Sequence, residues 1–352
     1  MTDVTDTDQA VRAMTNPTVV FPAPRQVGFE DGAITQPGLD EVLVRIRRTM
    51  ISTGTELMIY SGEFAEGSAW AAYGTFPFWA GYSAAGEVLA AGGAVSSAAV
   101  GDLVAVHAPH ARFATVPASA AIPVRDPGVP LDQMPFVTLA QTVMNGVRRS
   151  GIAWGDAVAV FGAGLLGQLA VRFCRLAGGR PVVAIDVEAE RLARLPAGAA
   201  VVPVNAAKAD AAGAVADATG GRMADIVFEV TGNPALIPAE FAVLKPRDGR
   251  VVMLSSPRGP TSFDFHDLCN APSHTIIGAH ISSQPEVATA ANPWTPARNG
   301  ELFFELVAAG ELDLEPLITH RLPYTEGARA YEMLYADRSQ ALGVILNWDD
   351  DA

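Results

Sequence analysis

Three glycines and one aspartate carry the clearest chemistry in this chain. Gly162, Gly164 and Gly167 stand in FGAGLLG with the spacing GxGxxG. A strand-like VAVF precedes them and a helix-like LLGQLAVRF follows. The first glycine permits a tight turn and the second lets the backbone approach a pyrophosphate. The third lets the helix start pack closely on the strand. Free N–H groups at the helix start, those of Leu165 and Leu166 among them, are donors for phosphate oxygens. Asp186 closes the next apolar run, PVVAID, 24 residues after Gly162. A carboxylate there accepts hydrogen bonds from the adenosine ribose hydroxyls and repels a 2′-phosphate. The expected cofactor is therefore NAD, with NADP disfavoured. Arg191, the cation that would favour NADP, lies five residues further on, inside the next helix.

The elements that must hold this motif follow from the pattern around it. Between residues 18 and 130, EVLVRIRRTMIS, GYSAAGEVLAAG, GDLVAVHAPH and ARFATVPASAAIPV read as short strands broken by Gly and Pro. No long run of helical period occurs there. Beyond Pro130 the pattern changes to apolar strands alternating with helical stretches, as in a parallel sheet covered on both faces. The strands are DAVAVFGAG, RPVVAIDV, AAVVPV, MADIVFEVTG, GRVVMLSS and HTIIGAH. Residues 282–299 are rich in Pro and polar residues. The closing stretch LITHRLPY, GARAYEMLYAD, ALGVILNW reads strand, helix, strand and has no partner strands of its own, so it is expected to return to the first domain. The expected fold is α/β, with a flexible tail over 1–16, a β-rich domain from 17–142 and 282–352, and a doubly wound dinucleotide-binding domain over 143–281.

Composition excludes several classes. The chain has 352 residues, 24 Lys+Arg against 38 Asp+Glu, and a formal charge of −14. Only Lys208 and Lys245 are lysines. Such a balance argues against nucleic-acid or anionic-membrane partners. The longest apolar stretch, 157–171, contains three glycines and Gln168 and falls short of the roughly 20 residues of a membrane helix. The acidic, polar start does not resemble a signal peptide. A cytoplasmic protein acting on a small molecule is expected. Cys174 and Cys269 cannot build a disulfide framework or a cysteine-rich zinc site, and both are expected as buried core thiols.

A β-rich domain, a dinucleotide domain and a short return segment resemble the layout of the medium-chain dehydrogenases. ISTGTEL resembles the segment carrying the first zinc ligand of the zinc alcohol dehydrogenases, and FWAGYSAAGEV their glycine-histidine-glutamate turn. GDLVAV, FGAGLLG, ADIVFEVTG and HTIIGAH also match, over about residues 18–348. ISTGTE and the ITHRLPYTEGARAYEML ending are most similar to the subgroup of bacteriochlorophyllide a dehydrogenase and its threonine-dehydrogenase-like relatives. The resemblance implies a Rossmann fold joined to a GroES-like catalytic domain, and an isologous dimer through the last Rossmann strand, near Ile276 to Ala279.

The departures from that pattern bear on mechanism. Position by position, the first cysteine becomes Thr53, the histidine Tyr82, its neighbouring glutamate Ser83, and the third ligand Thr138. None of Thr53, Tyr82 and Thr138 is a usual zinc ligand, and the four-cysteine structural lobe is missing, so no metal is expected. A substitute site from His107, His110 and Glu56 is the alternative. The proton handling then falls to the protein. Thr55 matches the hydroxyl that relays the alcohol proton, while the relay histidine becomes Met58. Tyr82 is placed to hydrogen-bond the substrate oxygen, and its phenol would need a lowered pKa to act as a base. Thr53 is expected as a hydroxyl lining the pocket. Glu56, His107 and His110 complete the catalytic candidates. Thr142 resembles the threonine at the nicotinamide end, and Thr231 lies at a strand tip where nicotinamide or ribose would pass. Leu254, Ser255 and His280 sit at later strand ends, where backbone groups would hold the carboxamide. Trp70, Tyr73, Phe76, Phe78 and Trp79 suggest a lid over a ring-shaped substrate.

The expected activity is zinc-independent, NAD-dependent hydride transfer between nicotinamide and a secondary alcohol or ketone of a small, ring-containing metabolite. The alternatives are a quinone or enone C=C reductase, a lyase or epimerase with tightly bound NAD, and a non-catalytic NAD-binding protein.

Overall fold

The structure, a computed structural model, describes residues 14–349. The first strands are β1 (Pro17–Phe21), β2 (Gly28–Asp31) and β3 (Glu41–Ile51). Two short helices follow, α1 (Thr55–Ser61) and α2 (Ala69–Tyr73). After them come β4 (Phe78–Trp79), β5 (Ala84–Ala91), β6 (Leu103–Val106), β7 (Phe113–Pro117) and β8 (Ile122–Pro123). The chain continues through α3 (Val137–Ser150), β9 (Val158–Phe161), α4 (Leu165–Leu176), β10 (Val182–Asp186) and α5 (Ala189–Leu192). Next are β11 (Val201–Asn205), α6 (Ala211–Thr219), β12 (Ile226–Glu229), α7 (Ile237–Glu240), β13 (Arg250–Met253) and β14 (Thr275–Gly278). It closes with α8 (Pro296–Ala308), β15 (Ile318–Pro323), α9 (Gly327–Ala336) and β16 (Gly343–Asn347).

These elements form two compact units. One runs to Thr138 and resumes at Gly300; the other is Leu139–Asn299. In the first unit, β3 is the hub of a seven-stranded sheet and pairs antiparallel with β5, β7 and β16. The final strands join it through β16, with β15 parallel outside. The closing segment thus completes the first unit, because its apolar strand β16 joins the sheet by pairing with β3. A smaller sheet, β2-β1-β4, covers a core that includes Phe21, Tyr331 and Trp348. Trp348 is fully buried, and its indole N–H donates to Thr49 Oγ1 at 2.9 Å, which satisfies the ring's one polar atom.

The second unit is a six-stranded parallel sheet in the order β11-β10-β9-β12-β13-β14. The order reverses between β9 and β12, so the carboxyl ends of these two strands flank the crevice where doubly wound sheets take ligands. Among the described residues no helix is long and apolar enough to cross a membrane.

Four details differ from the sequence reading. The β-rich unit contains α1, whose residues from Glu56 to Ser61 are all buried. A helix buried all round leaves no amphipathic period to detect. Residues 139–142 and 282–299 belong with the second unit. Side chains tie them there: Gln141 Nε2 donates to the Pro296 carbonyl at 2.6 Å, and Asn145 Nδ2 to the His280 carbonyl at 3.0 Å. Cys174 is buried, but Cys269 is only partly so and donates its thiol to the His274 carbonyl at 3.3 Å. Of the expected tail, 1–13 lie outside the described residues. Asn16 is buried, its amide exchanging hydrogen bonds with the Phe113 backbone at 3.2 and 2.8 Å.

The hub strand sets a strict limit on its neighbour. A Cβ added at Gly86 in β5 would lie 2.0 Å from the Arg45 carbonyl oxygen on β3. Gly86→Ala is expected to cost about 1–3 kcal/mol by overpacking, read as a lower Tm in thermal melting.

Candidate active site

The glycine motif forms the elbow expected of it. Gly162, at φ 99, turns the chain off the end of β9 and donates its N–H to the Ile185 carbonyl at 2.8 Å. Gly164 is the N-cap of α4, with no side chain closing the helix end and open space where its Cβ would stand. A Cβ on Gly167 would lie 1.8 Å from the Gly162 carbonyl oxygen. Helix and turn therefore touch backbone to backbone. The amides of Leu165 and Leu166, in the first turn, have no intrahelical acceptor. Gln168, fully buried, ties the elbow to the next loop by donating to the carbonyls of Ala163 at 3.2 Å and Arg191 at 2.7 Å. This is an anion cradle that fits the pyrophosphate of a nicotinamide dinucleotide.

Asp186, at the end of β10, accepts from Ala163 N at 2.6 Å and from Glu188 N at 2.9 Å. Its carboxylate is thus locked beside the elbow with lone pairs to spare for a ribose. Arg191 comes closer than its place in the sequence suggested, with Nη1 3.8 Å from Asp186 Oδ2. Only four residues of α5 are helical, which lets the arginine fold back.

The loops after β12 and β13 are organised by an acid that sequence reasoning missed. Glu229 is fully buried and accepts from Thr231 N at 2.7 Å, Thr231 Oγ1 at 2.6 Å and Gly232 N at 2.9 Å, as well as from the Ser255 hydroxyl. The hydroxyls of Thr231 and Ser255 both donate to this carboxylate. Leu254 is buried and packs over Gly146 of α3, the same helix that carries the half-buried Thr142. The His280 ring accepts from Ser282 N at 3.3 Å and caps a short turn. What Leu254, Ser255 and His280 can still offer a cofactor is backbone. The signal for Glu229 was a charged residue ending a four-residue apolar strand.

Behind the same loop lies Glu240. It is fully buried, neither carboxylate oxygen has a hydrogen-bond partner, and burial with the nearby Glu229 charge pushes its pKa up to about 9. Glu240 is therefore a neutral acid at pH 7.

In the first unit, the catalytic candidates separate into two groups. Tyr82 donates to Ser52 Oγ at 2.5 Å, and its ring stacks on His107 at 5.6 Å between centroids. Thr55 also hydrogen-bonds the Tyr82 phenol. Burial raises the Tyr82 pKa to about 12, so the phenol stays protonated near neutrality and is a donor, not the base that a lowered pKa would have made it. Burial lowers the His107 pKa, which keeps that ring neutral. Thr53 is partly exposed, its carbonyl accepting from Arg338 Nη1 at 3.2 Å, and Thr138 is buried at the start of α3.

Glu56 and His110 form the second group, and both are enclosed in the core. Glu56 Oε2 lies 2.9 Å from His110 Nε2 and accepts from the Tyr331 hydroxyl; Oε1 accepts from Ser52 N at 2.8 Å. With exposures of 1% and 0%, the two side chains do not reach a substrate. They act through Ser52, whose backbone Glu56 grips and whose hydroxyl holds Tyr82. Ser52 and Tyr331 were not singled out in the sequence; no motif marks Tyr331, which arrives from α9 only through the fold. In the aromatic segment, Tyr73 and Trp79 are half exposed, and Tyr73 meets Phe78 edge to face at 5.7 Å.

Comparison with known proteins bears on the family of the chain. Residues 38–124 match the alcohol dehydrogenase GroES-like domain, and residues 166–295 match the zinc-binding dehydrogenase family. The chain belongs to the medium-chain dehydrogenase/reductase superfamily. It is 24% identical to 2-desacetyl-2-hydroxyethyl bacteriochlorophyllide A dehydrogenase of Cereibacter sphaeroides, over 94% of this chain and 97% of that protein. It is 27% identical to D-xylulose reductase of Scheffersomyces stipitis, over 92% and 96% respectively. An alcohol dehydrogenase from Escherichia coli CFT073, solved with NADH, superposes with a TM-score of 0.78 at 18% identity, over 95% of this chain and 99% of that one.

Zinc, common among these dehydrogenases, does not fit the residues present. Thr53, Tyr82 and Thr138, the residues expected at the ligand positions, carry neutral hydroxyls, whereas a tetrahedral zinc takes thiolate or imidazole. Among the described residues no group of three or more His, Cys, Asp or Glu side chains is gathered to hold an ion, the trio His107, His110 and Glu56 included.

Two outcomes follow. Gly167→Ala is expected to force α4 off the elbow and weaken NADH binding at least about tenfold by calorimetry. Glu240 is neutral when folded up to about pH 9, but ionises near 4.5 when unfolded. Its contribution to stability is thus complete below pH 4.5 and lost as pH rises toward 9. Glu240→Gln is expected to give a shallower fall of Tm across that interval.

Proposed function

We propose that this chain is a zinc-independent, NAD-dependent dehydrogenase that interconverts a secondary alcohol and a ketone on a small, ring-containing metabolite. The observation that carries the reading is the protonated Tyr82, fixed by Ser52 and Thr55 at the position of a zinc ligand. The nicotinamide, when bound, accepts or gives the hydride. The protein's part is to polarise the substrate oxygen and manage one proton. The phenol does the first by turning its single O–H from Ser52 Oγ to a ketone oxygen as negative charge develops there, with the Ser52 hydroxyl then donating to the phenol oxygen. Thr55 and the neutral His107 ring beside Tyr82 supply the onward path for the proton. Tyr73 and Trp79, half exposed on the aromatic segment, offer faces for a ring-shaped substrate.

Asp186 supports NAD, since its carboxylate stands where a 2′-phosphate would be repelled. Arg191 beside it favours a second reading, in which partial neutralisation lets NADP bind as well. A homodimer is part of the proposal: β14 is the last strand of its sheet, and Ile276 on it is 42% exposed. A cytoplasmic location fits the acidic, lysine-poor composition and the reduced thiols.

The test pairs metal analysis with kinetics on a panel of cyclic secondary alcohols and ketones. Turnover is expected with far less than one zinc per chain and to survive chelation. Tyr82→Phe is expected to lower kcat/KM about a hundredfold or more, and NADH to outperform NADPH. Stoichiometric zinc whose removal abolishes turnover would refute the zinc-independent reading, and unchanged kcat/KM in Tyr82→Phe would remove the phenol from the mechanism.

A further inference from the structure

The second unit holds a pair of arginines that the dinucleotide site does not use. Arg148 lies in the last turn of α3, and Arg298 in the first turn of α8. Between them stands Trp294, from the Pro-rich segment that precedes α8. The guanidinium carbon of Arg148 is 3.3 Å from the centre of the indole, and that of Arg298 is 4.1 Å from it. Both guanidinium groups therefore stand against the same indole.

Three features set this cluster apart from ordinary surface stacking. First, it is built. Arg148 Nε donates to Asn299 Oδ1 at 3.2 Å, and the fully buried Asn299 donates in turn to Gln284 Oε1 at 2.8 Å. The loop is pinned by Gln141 Nε2 on the Pro296 carbonyl at 2.6 Å, and Trp294 N donates to Asn292 Oδ1 at 3.2 Å. Second, it is uncompensated. In a chain with 38 acidic against 24 basic side chains, the side chains of Arg148 and Arg298 donate to an amide oxygen and a carbonyl, and among the described residues neither arginine is in an ion pair. Partial desolvation and the Arg298 charge push the Arg148 pKa down to about 10, the direction expected of a cation lacking an anion. Third, Arg298 sits at the wrong end of its helix. The start of α8 is already electropositive, and no acidic residue stands in its first turn.

Stacking on an aromatic face leaves the in-plane N–H fork of a guanidinium free. Two such forks stand beside one indole. We infer that Arg148, Trp294 and Arg298 form a binding site for a phosphate-type oxyanion, held at the rim of Trp294 between the two forks. The anion comes from a phosphorylated small molecule or from free phosphate. The site is separate from the glycine elbow: it is built on α3, α8 and residues 284–299, whereas the elbow is built on β9 and α4.

The test uses the full chain, titrated with inorganic phosphate, glycerol 3-phosphate and glycerol, followed by calorimetry and tryptophan fluorescence. Both phosphates are expected to bind saturably and to perturb the emission, with affinity falling as NaCl rises; glycerol does neither. Tighter binding of glycerol 3-phosphate than of inorganic phosphate identifies an organic phosphate as the ligand, and equal binding identifies the free anion. Arg298→Gln and Arg148→Gln are each expected to weaken phosphate binding at least about tenfold while leaving NADH binding within about twofold. Arg298 is exposed, so its variant tests the site even where Arg148→Gln disturbs the packing around Asn299. No saturable binding of either phosphate, or binding that Arg298→Gln leaves unchanged, would overturn the inference. Because the elbow residues are untouched, failure here leaves the dinucleotide reading standing, and failure to bind NADH leaves this one standing.

Discussion

The contact between Gly167 and the Gly162 carbonyl governs the dinucleotide half of the molecule. At 1.8 Å from that oxygen there is no room for a side-chain carbon. The backbone of α4 therefore starts directly against the turn leaving β9, and its free amides face the crevice at the sheet's reversal point. Asp186 is locked to the same turn through Ala163 N, so ribose and phosphate recognition share one rigid piece. A wider approach would separate donors that must act on neighbouring groups of one ligand.

Buried carboxylates do comparable work in both units. Glu229 gathers Thr231, Gly232 and Ser255 and shapes two loops at once. Glu56 gathers Ser52, His110 and Tyr331 and fixes the residue that holds Tyr82. In each case a charged acceptor with several lone pairs satisfies backbone and hydroxyl donors that would otherwise be costly to bury. Glu240 marks the contrast. Lacking any partner, it keeps its proton, and its neutrality spares Glu229 a second negative charge nearby.

In the proposed mechanism, a hydroxyl in place of a metal changes what the surrounding shell must accomplish. A cation polarises an oxygen by charge and tolerates some variation in approach. A phenol polarises it by one directed hydrogen bond, so its orientation must be set beforehand. The layered support behind Tyr82, first Ser52 and Thr55, then Glu56, then His110 and Tyr331, is the arrangement such a donor requires.

The strand-helix alternation, the glycine elbow, the acid at Asp186 and the return of the final strands were legible in the sequence. Each depends on local period or on backbone geometry that only glycine allows. Other features were decided by the tertiary structure. Thr231 and Ser255 looked like ligand contacts until the fold turned their hydroxyls onto Glu229. Glu56 and His110 looked catalytic until burial placed them behind Ser52. Tyr331 carried no signal at all, since its partner Glu56 lies 275 residues away, and nothing local paired Arg298 with Arg148 across Trp294. Pattern reveals which groups a chain can offer; only packing settles which of them still have a free hydrogen bond or an unbalanced charge when the chain is closed.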